Sequence, residues 1–200
     1  MASRFDGSFF PVLKRRAAYA TKQDGSYYYY THYRGEIAED CQGRCVYCDA
    51  HEDEVGGREC MELDHFRPFS LAEFAHLGHD PFNLHHACGR CNRLKSNHWP
   101  AAGTPHTWVE DFGFIDPFVH KPSEFFEVKE DGELRALKPP AGYLIRLLAL
   151  NRPYLKVLRR RRILNSERIR FETENVPKWE AARHGTITMK TEELADTVLT

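Results

Sequence analysis

Two Cys-x-x-Cys steps, Cys45-Val46-Tyr47-Cys48 and Cys88-Gly89-Arg90-Cys91, constrain this chain more than any other feature. A structural zinc ion wants four soft ligands in a tetrahedron, and each tight Cys-x-x-Cys turn supplies two thiolates. The span from Cys48 to Cys88 is longer than in a plain zinc ribbon, which leaves room for a functional insertion. Cys41 and Cys60 are left over. Cys41 lies near enough to compete with Cys45, but the Cys-x-x-Cys step is the tighter knuckle, so both extras are expected to be ordinary buried thiols.

The rest of the composition narrows the class. Two hundred residues make one domain, or one with a modest extension. A hydrophobic content of 42% suffices for a core, while a mean hydropathy of −0.59 implies a very polar surface. The net charge of −1 gives no global basic field, so a nucleic-acid surface has to come from local clustering. The opening Met-Ala-Ser-Arg-Phe-Asp lacks the apolar run of a secretory signal, and no stretch approaches the roughly 20 apolar residues of a membrane span. A cytoplasmic protein without membrane contact is therefore expected. Thiols stay reduced in that compartment, which favours metal over disulfides.

The pattern along the chain predicts an α+β fold in three parts. Residues 1–40 form a partly helical N-terminal extension, with a basic patch at Lys14, Arg15 and Arg16, four tyrosines at 27–30, and a short helix from Tyr33 to Asp40. Residues 41–100 form the metal-binding core. There Cys60 to His65 reads as a strand, Gly56-Gly57 turns the chain back to make a hairpin, and Leu71 to Leu77 is a short helical insertion. Asn83-Leu84 lies in a loop, and a helix from about Ala87 to Asn97 stops at Trp99-Pro100. Residues 101–200 begin loop-rich, then form a hairpin from Phe125–Val128 and Leu134–Leu137 about Asp131-Gly132. Two helices follow from Ala141. Pro153 suits the first turn of the second, which is expected to run to about Glu174 ahead of a weak terminal segment at 185–200. This C-terminal extension is predominantly helical and is expected to pack on the core.

Between the knuckles lies Asp64-His65, and Asn92 directly follows the last cysteine. The set suits phosphodiester hydrolysis, which needs an activated water and a cation that stabilises the charge on phosphate. His65 is the candidate base, since imidazole can be neutral near pH 7. Asp64 offers a hard carboxylate oxygen and Asn92 a neutral amide oxygen to Mg²⁺ or Mn²⁺.

These residues resemble the HNH endonucleases, the ββα-metal nucleases. The likeness rests on Cys45-x-x-Cys48, Glu62-Leu63-Asp64-His65-Phe66-Arg67-Pro68, Asn83-Leu84 and Cys88-x-x-Cys91-Asn92-x-x-Lys95, and it covers about residues 41–100. It implies a zinc-stapled ββα core with structural Zn²⁺ on Cys45, Cys48, Cys88 and Cys91. It further implies His65 as general base, Asn83 bracing the loop that aims it, and a catalytic Mg²⁺ or Mn²⁺ shared by Asp64 and Asn92. Cleavage of DNA to 5′-phosphate and 3′-hydroxyl ends would follow. Asn92 stands where many members carry His, so the chain looks like an HNN variant. Zinc-bearing phage junction-resolving nucleases look similar at that position. The second half, from Phe114-Ile115-Asp116-Pro117 to Leu150-Asn151-Arg152-Pro153, resembles stand-alone HNH proteins of Septu-type and retron-associated antiphage systems, which work beside an ATPase partner.

Substrate contacts are expected from Arg67, Arg90, Arg93 and Lys95, which surround the site in sequence and can pair with phosphates. Two features leave alternatives open. Arg159 to Arg162 read either as a solvated helix face or as a second basic cluster, and Tyr27 to Tyr30 either as core packing or as a stacking surface. The alternative to an endonuclease is a non-catalytic zinc module that binds nucleic acid or a protein partner.

Overall fold

In the computed structural model the backbone is described for residues 9–197 and side chains to residue 176. The described residues up to Arg160 gather into one compact unit and those from Arg161 into a second. The fold is α+β, and among the described residues it combines helices with three two-stranded antiparallel sheets.

In chain order the regular elements are α1 (Arg34–Asp40), β1 (Met61–His65), β2 (Leu84–Cys88), α2 (Gly89–Lys95), β3 (Trp108–Val109) and β4 (Phe112–Gly113). Then come β5 (Phe126–Val128), β6 (Leu134–Ala136), α3 (Ala141–Leu147) and α4 (Pro153–Thr197). Short 3₁₀ turns fill several connections, among them Tyr30–Tyr33, Ala72–Leu77 and Pro81–Asn83.

The partner of β1 differs from the sequence expectation. Gly56 and Gly57 do turn the chain, both at positive φ. The acidic stretch before them forms a 3₁₀ turn, Glu52–Glu54, instead of a strand. β1 pairs across the insertion with β2, in a register that sets Met61 opposite Cys88, Asp64 opposite His85 and His65 opposite Leu84. β2 was legible only as a loop and a helix start, because Leu-His-His-Ala-Cys has no polar–apolar alternation. Every one of its residues is buried, and a strand covered on both faces carries no period-two signal. α2 follows without a break and ends at Lys95, two residues earlier than expected, where Ser96 takes the left-handed conformation at φ 48°.

The N-terminal segment is held against this core. Arg15 donates to the carbonyls of Pro81 and Leu84, and Arg16 pairs with Asp40 and Glu36. The expected basic patch is thus largely spent on internal contacts. β3 and β4 lie in the stretch read as loop, whereas the β5–β6 hairpin stands where the sequence placed it. Its Gly132, at φ 83°, faces the backbone of Lys156 so closely that any Cβ would collide with it. α4 begins at Pro153 as expected but extends to Thr197, through the segment read as weak. Among the described residues no helix is long and apolar enough to cross a membrane.

Candidate active site and metal centre

The two knuckles converge. The sulfur atoms of Cys45, Cys48, Cys88 and Cys91 lie within 4.8 Å of one another, and all four residues are buried. The Cys48 and Cys88 sulfurs are 3.9 Å apart. Tetrahedral zinc with Zn–S bonds of about 2.3 Å sets its sulfurs about 3.8 Å apart, so the donor set and its spacing fit the ion. Burial pushes the Cys45 thiol up, while Cys88, facing the other three sulfurs, is held well down. Cys91, like Cys45, is pushed up, so the negative charge of the metal-free cluster gathers on Cys88. Cys41 stands outside it as an ordinary buried thiol, pushed up to about 12 by burial. Cys60, expected to be buried, is exposed.

Arg152, from the Asn-Arg-Pro step between α3 and α4, points two guanidinium nitrogens at the Cys91 sulfur, at 3.9 and 4.0 Å. The same group donates to the carbonyls of Leu148 and Ala149 at the end of α3. One side chain thus ties the end of α3 to the cysteine cluster, and nothing in the sequence marked it for that contact.

Beside the cysteines, a cleft of about 260 Å³ is lined by Asp64, His65, Phe69, Asn92 and Arg93 together with small and polar neighbours. His65 Nε2 lies 2.9 Å from the Gly78 carbonyl oxygen. A carbonyl can only accept, so Nε2 carries the hydrogen of the neutral ring and Nδ1 keeps its lone pair. Burial lowers the His65 pKa, which favours that neutral ring.

Asn83, at the end of the insertion, accepts from the Arg67 backbone N–H through Oδ1 and donates to the Arg67 carbonyl through Nδ2, each at 2.9 Å. It therefore clamps the chain two residues past His65. Asn92 donates Nδ2 to Glu62 Oε2 at 2.7 Å, which leaves Oδ1 for another partner.

Asp64 is more deeply set than its neighbours, at 3% exposure. Tyr47, inside the first knuckle, donates its hydroxyl to Asp64 Oδ2 at 2.5 Å. Lys95 donates to Asp64 Oδ1 and to the His65 carbonyl, both at 2.9 Å. Each carboxylate oxygen keeps a further lone pair. Asp64 and Asn92, one carboxylate and one amide, both line the same small cleft.

The expected nucleic-acid contacts do not share one fate. Lys95 is corrected outright: it is wholly buried under Asp64 and has no surface to offer a phosphate. Arg67 sits over the rings of Phe74 and Trp99 and donates to the Pro105 carbonyl. Arg93 is exposed and lines the cleft, paired with Glu62 at 3.5 Å. Arg90 is exposed on α2 but faces a different hollow, with Glu62, Cys88 and Arg152. Arg159, first of the four-arginine run, is a core residue that donates to the carbonyls of Gly132 and Leu150.

No curated protein and no solved structure matches this chain. A family model does: the HNH endonuclease family, over residues 45–98. That span runs from the first cysteine of the first knuckle to just beyond α2 and contains both the four-cysteine cluster and the His65 cleft. Residues 45–98 are thus similar to the HNH endonuclease family, and that span holds the four-cysteine cluster.

Proposed function

We propose that this protein is a metal-dependent DNA endonuclease whose β1, β2 and α2 form a zinc-stapled ββα core. The observation that carries the reading is the His65 ring, held by the Gly78 carbonyl so that Nδ1 faces its task unprotonated, in a cleft shared with Asp64 and Asn92. His65 Nδ1 takes the proton from the attacking water. Asp64 and Asn92 would hold the divalent ion, and Mg²⁺ or Mn²⁺ there would stabilise the charge gathering on the scissile phosphate. Asn83 keeps the 65–67 segment, and with it the ring, in place. Cys45, Cys48, Cys88 and Cys91 would hold zinc, which would fix the start of α2 and so the position of Asn92. Arg93 meets a phosphate beside the cut. The resemblance of residues 114–153 to antiphage nucleases supports a role in defence beside an ATPase partner.

The test is cleavage of plasmid DNA with Mg²⁺ or Mn²⁺, comparing the parent protein with His65→Ala. The parent is expected to cut. The variant should lose cutting while keeping its zinc content and circular dichroism, because His65 is not a cysteine ligand. A variant that cuts at the parental rate removes His65 as the base. A zinc-replete parent that cuts nothing leaves the non-catalytic zinc module.

A further inference from the structure

The tyrosine run and the insertion each place an aromatic ring next to the candidate base. The His65 ring is 4.5 Å from Phe69 and 4.9 Å from Tyr30, centroid to centroid. Phe69 is 48% exposed and lines the cleft itself. Tyr29 is 59% exposed, with its ring 4.7 Å from Tyr30 and 5.0 Å from His79. His79 follows Gly78, whose carbonyl holds His65. None of the four tyrosines at 27–30 is buried. The core-packing role belongs instead to Tyr33, which is fully buried and donates to the Ala20 carbonyl.

Charge alone gives this cleft little hold on a polyanion. The chain has a net charge of −1. Among the described residues lining the cleft, Arg93 is the only arginine or lysine, and Glu62 shares it. Affinity therefore needs another source, and aromatic faces provide one that works with any base. In a duplex each base face is already stacked on its neighbours and only base edges reach the grooves. A ring beside the base nitrogen can meet a base face only if that nucleotide is splayed out of the stack.

We propose that this site takes DNA with unpaired nucleotides at the cut, and that Phe69 and Tyr29 stack the bases flanking the scissile phosphate. The proposal rests on the nuclease reading for the position of that phosphate. A protein partner fits this patch less well, because a chain lying over Phe69 would fill the cleft in which the phosphodiester must reach His65.

The test uses the protein as purified, without added Mg²⁺ or Mn²⁺, and oligonucleotides carrying 2-aminopurine beside a defined internucleotide bond. Single-stranded and bulged probes are expected to bind and to show quenched fluorescence, and the fully paired duplex to bind more weakly. Phe69→Ala and Tyr29→Ala should each weaken binding by roughly ten-fold and relieve the quenching. Tyr29→Phe, which keeps the ring, should bind like the parent. Quenching that persists in a protein unable to cut DNA under any metal would sink the nuclease reading and still support stacking. Equal affinity for paired and unpaired probes, or alanine variants that bind and quench like the parent, would overturn the stacking proposal. Cleavage of duplex DNA alongside that result would leave the nuclease reading standing.

Discussion

Asp64 shows how a side chain singled out by sequence depends on neighbours whose part in holding it was not legible there. Its two oxygens are held by Tyr47 and Lys95, and the lysine is wholly buried. Removing one partner from a buried ion pair strands the other charge, at a cost of about 3–5 kcal/mol, whereas an exposed pair is worth about 1 kcal/mol or less. Lys95→Met is therefore expected to lower the urea midpoint far more than Arg93→Ala, whose pair with Glu62 is exposed. Equal midpoints for the two variants would return Lys95 to the surface role the sequence suggested. Asn92 gives a second test. Asn92→Ala should shift the Mg²⁺ titration of cleavage to higher concentration while leaving zinc content unchanged, because a hard-cation site loses a neutral oxygen. A bare helix-stabilising role predicts instead a lower melting temperature and an unmoved titration. His65, Asp64, Asn83 and Asn92 stood out in the sequence by type and spacing because phosphodiester hydrolysis calls for groups of that kind. Tyr47 was invisible: an aromatic between two cysteines says nothing of where its hydroxyl points until β1 is paired.

Elements were readable where a local signal was strong and misread where the fold overrode it. The β5–β6 hairpin announced itself through Asp131-Gly132, and α4 through Pro153. β2 gave no such sign, since total burial erased the alternation that marks a strand. The join between α3 and the cysteine cluster is likewise a tertiary fact, made by Arg152. Groups that donate to metal-bound thiolates tune affinity, and their loss typically costs ten-fold or more. Arg152→Met is expected to speed zinc release to a colorimetric chelator by about ten-fold, with the cysteines untouched. Release at the parental rate would confine Arg152 to closing the end of α3.

At the scale of the whole molecule, every residue assigned to the site lies in the first of the two units. A chain ending at Arg160 is thus expected to retain its zinc and its DNA cleavage, as read by metal analysis and plasmid nicking. Loss of both would show that the second unit is needed to build the site. The near-neutral charge fits a substrate gripped through its bases, and it predicts binding that weakens only gently with added salt. The hydroxyl of Tyr47 carries one more consequence. It joins the first cysteine knuckle to the carboxylate proposed to serve the catalytic ion. On the proposed function, a newly made chain still lacking zinc would have no firm seat for that carboxylate, and it is expected to spare the DNA of the cell that made it until assembly is complete.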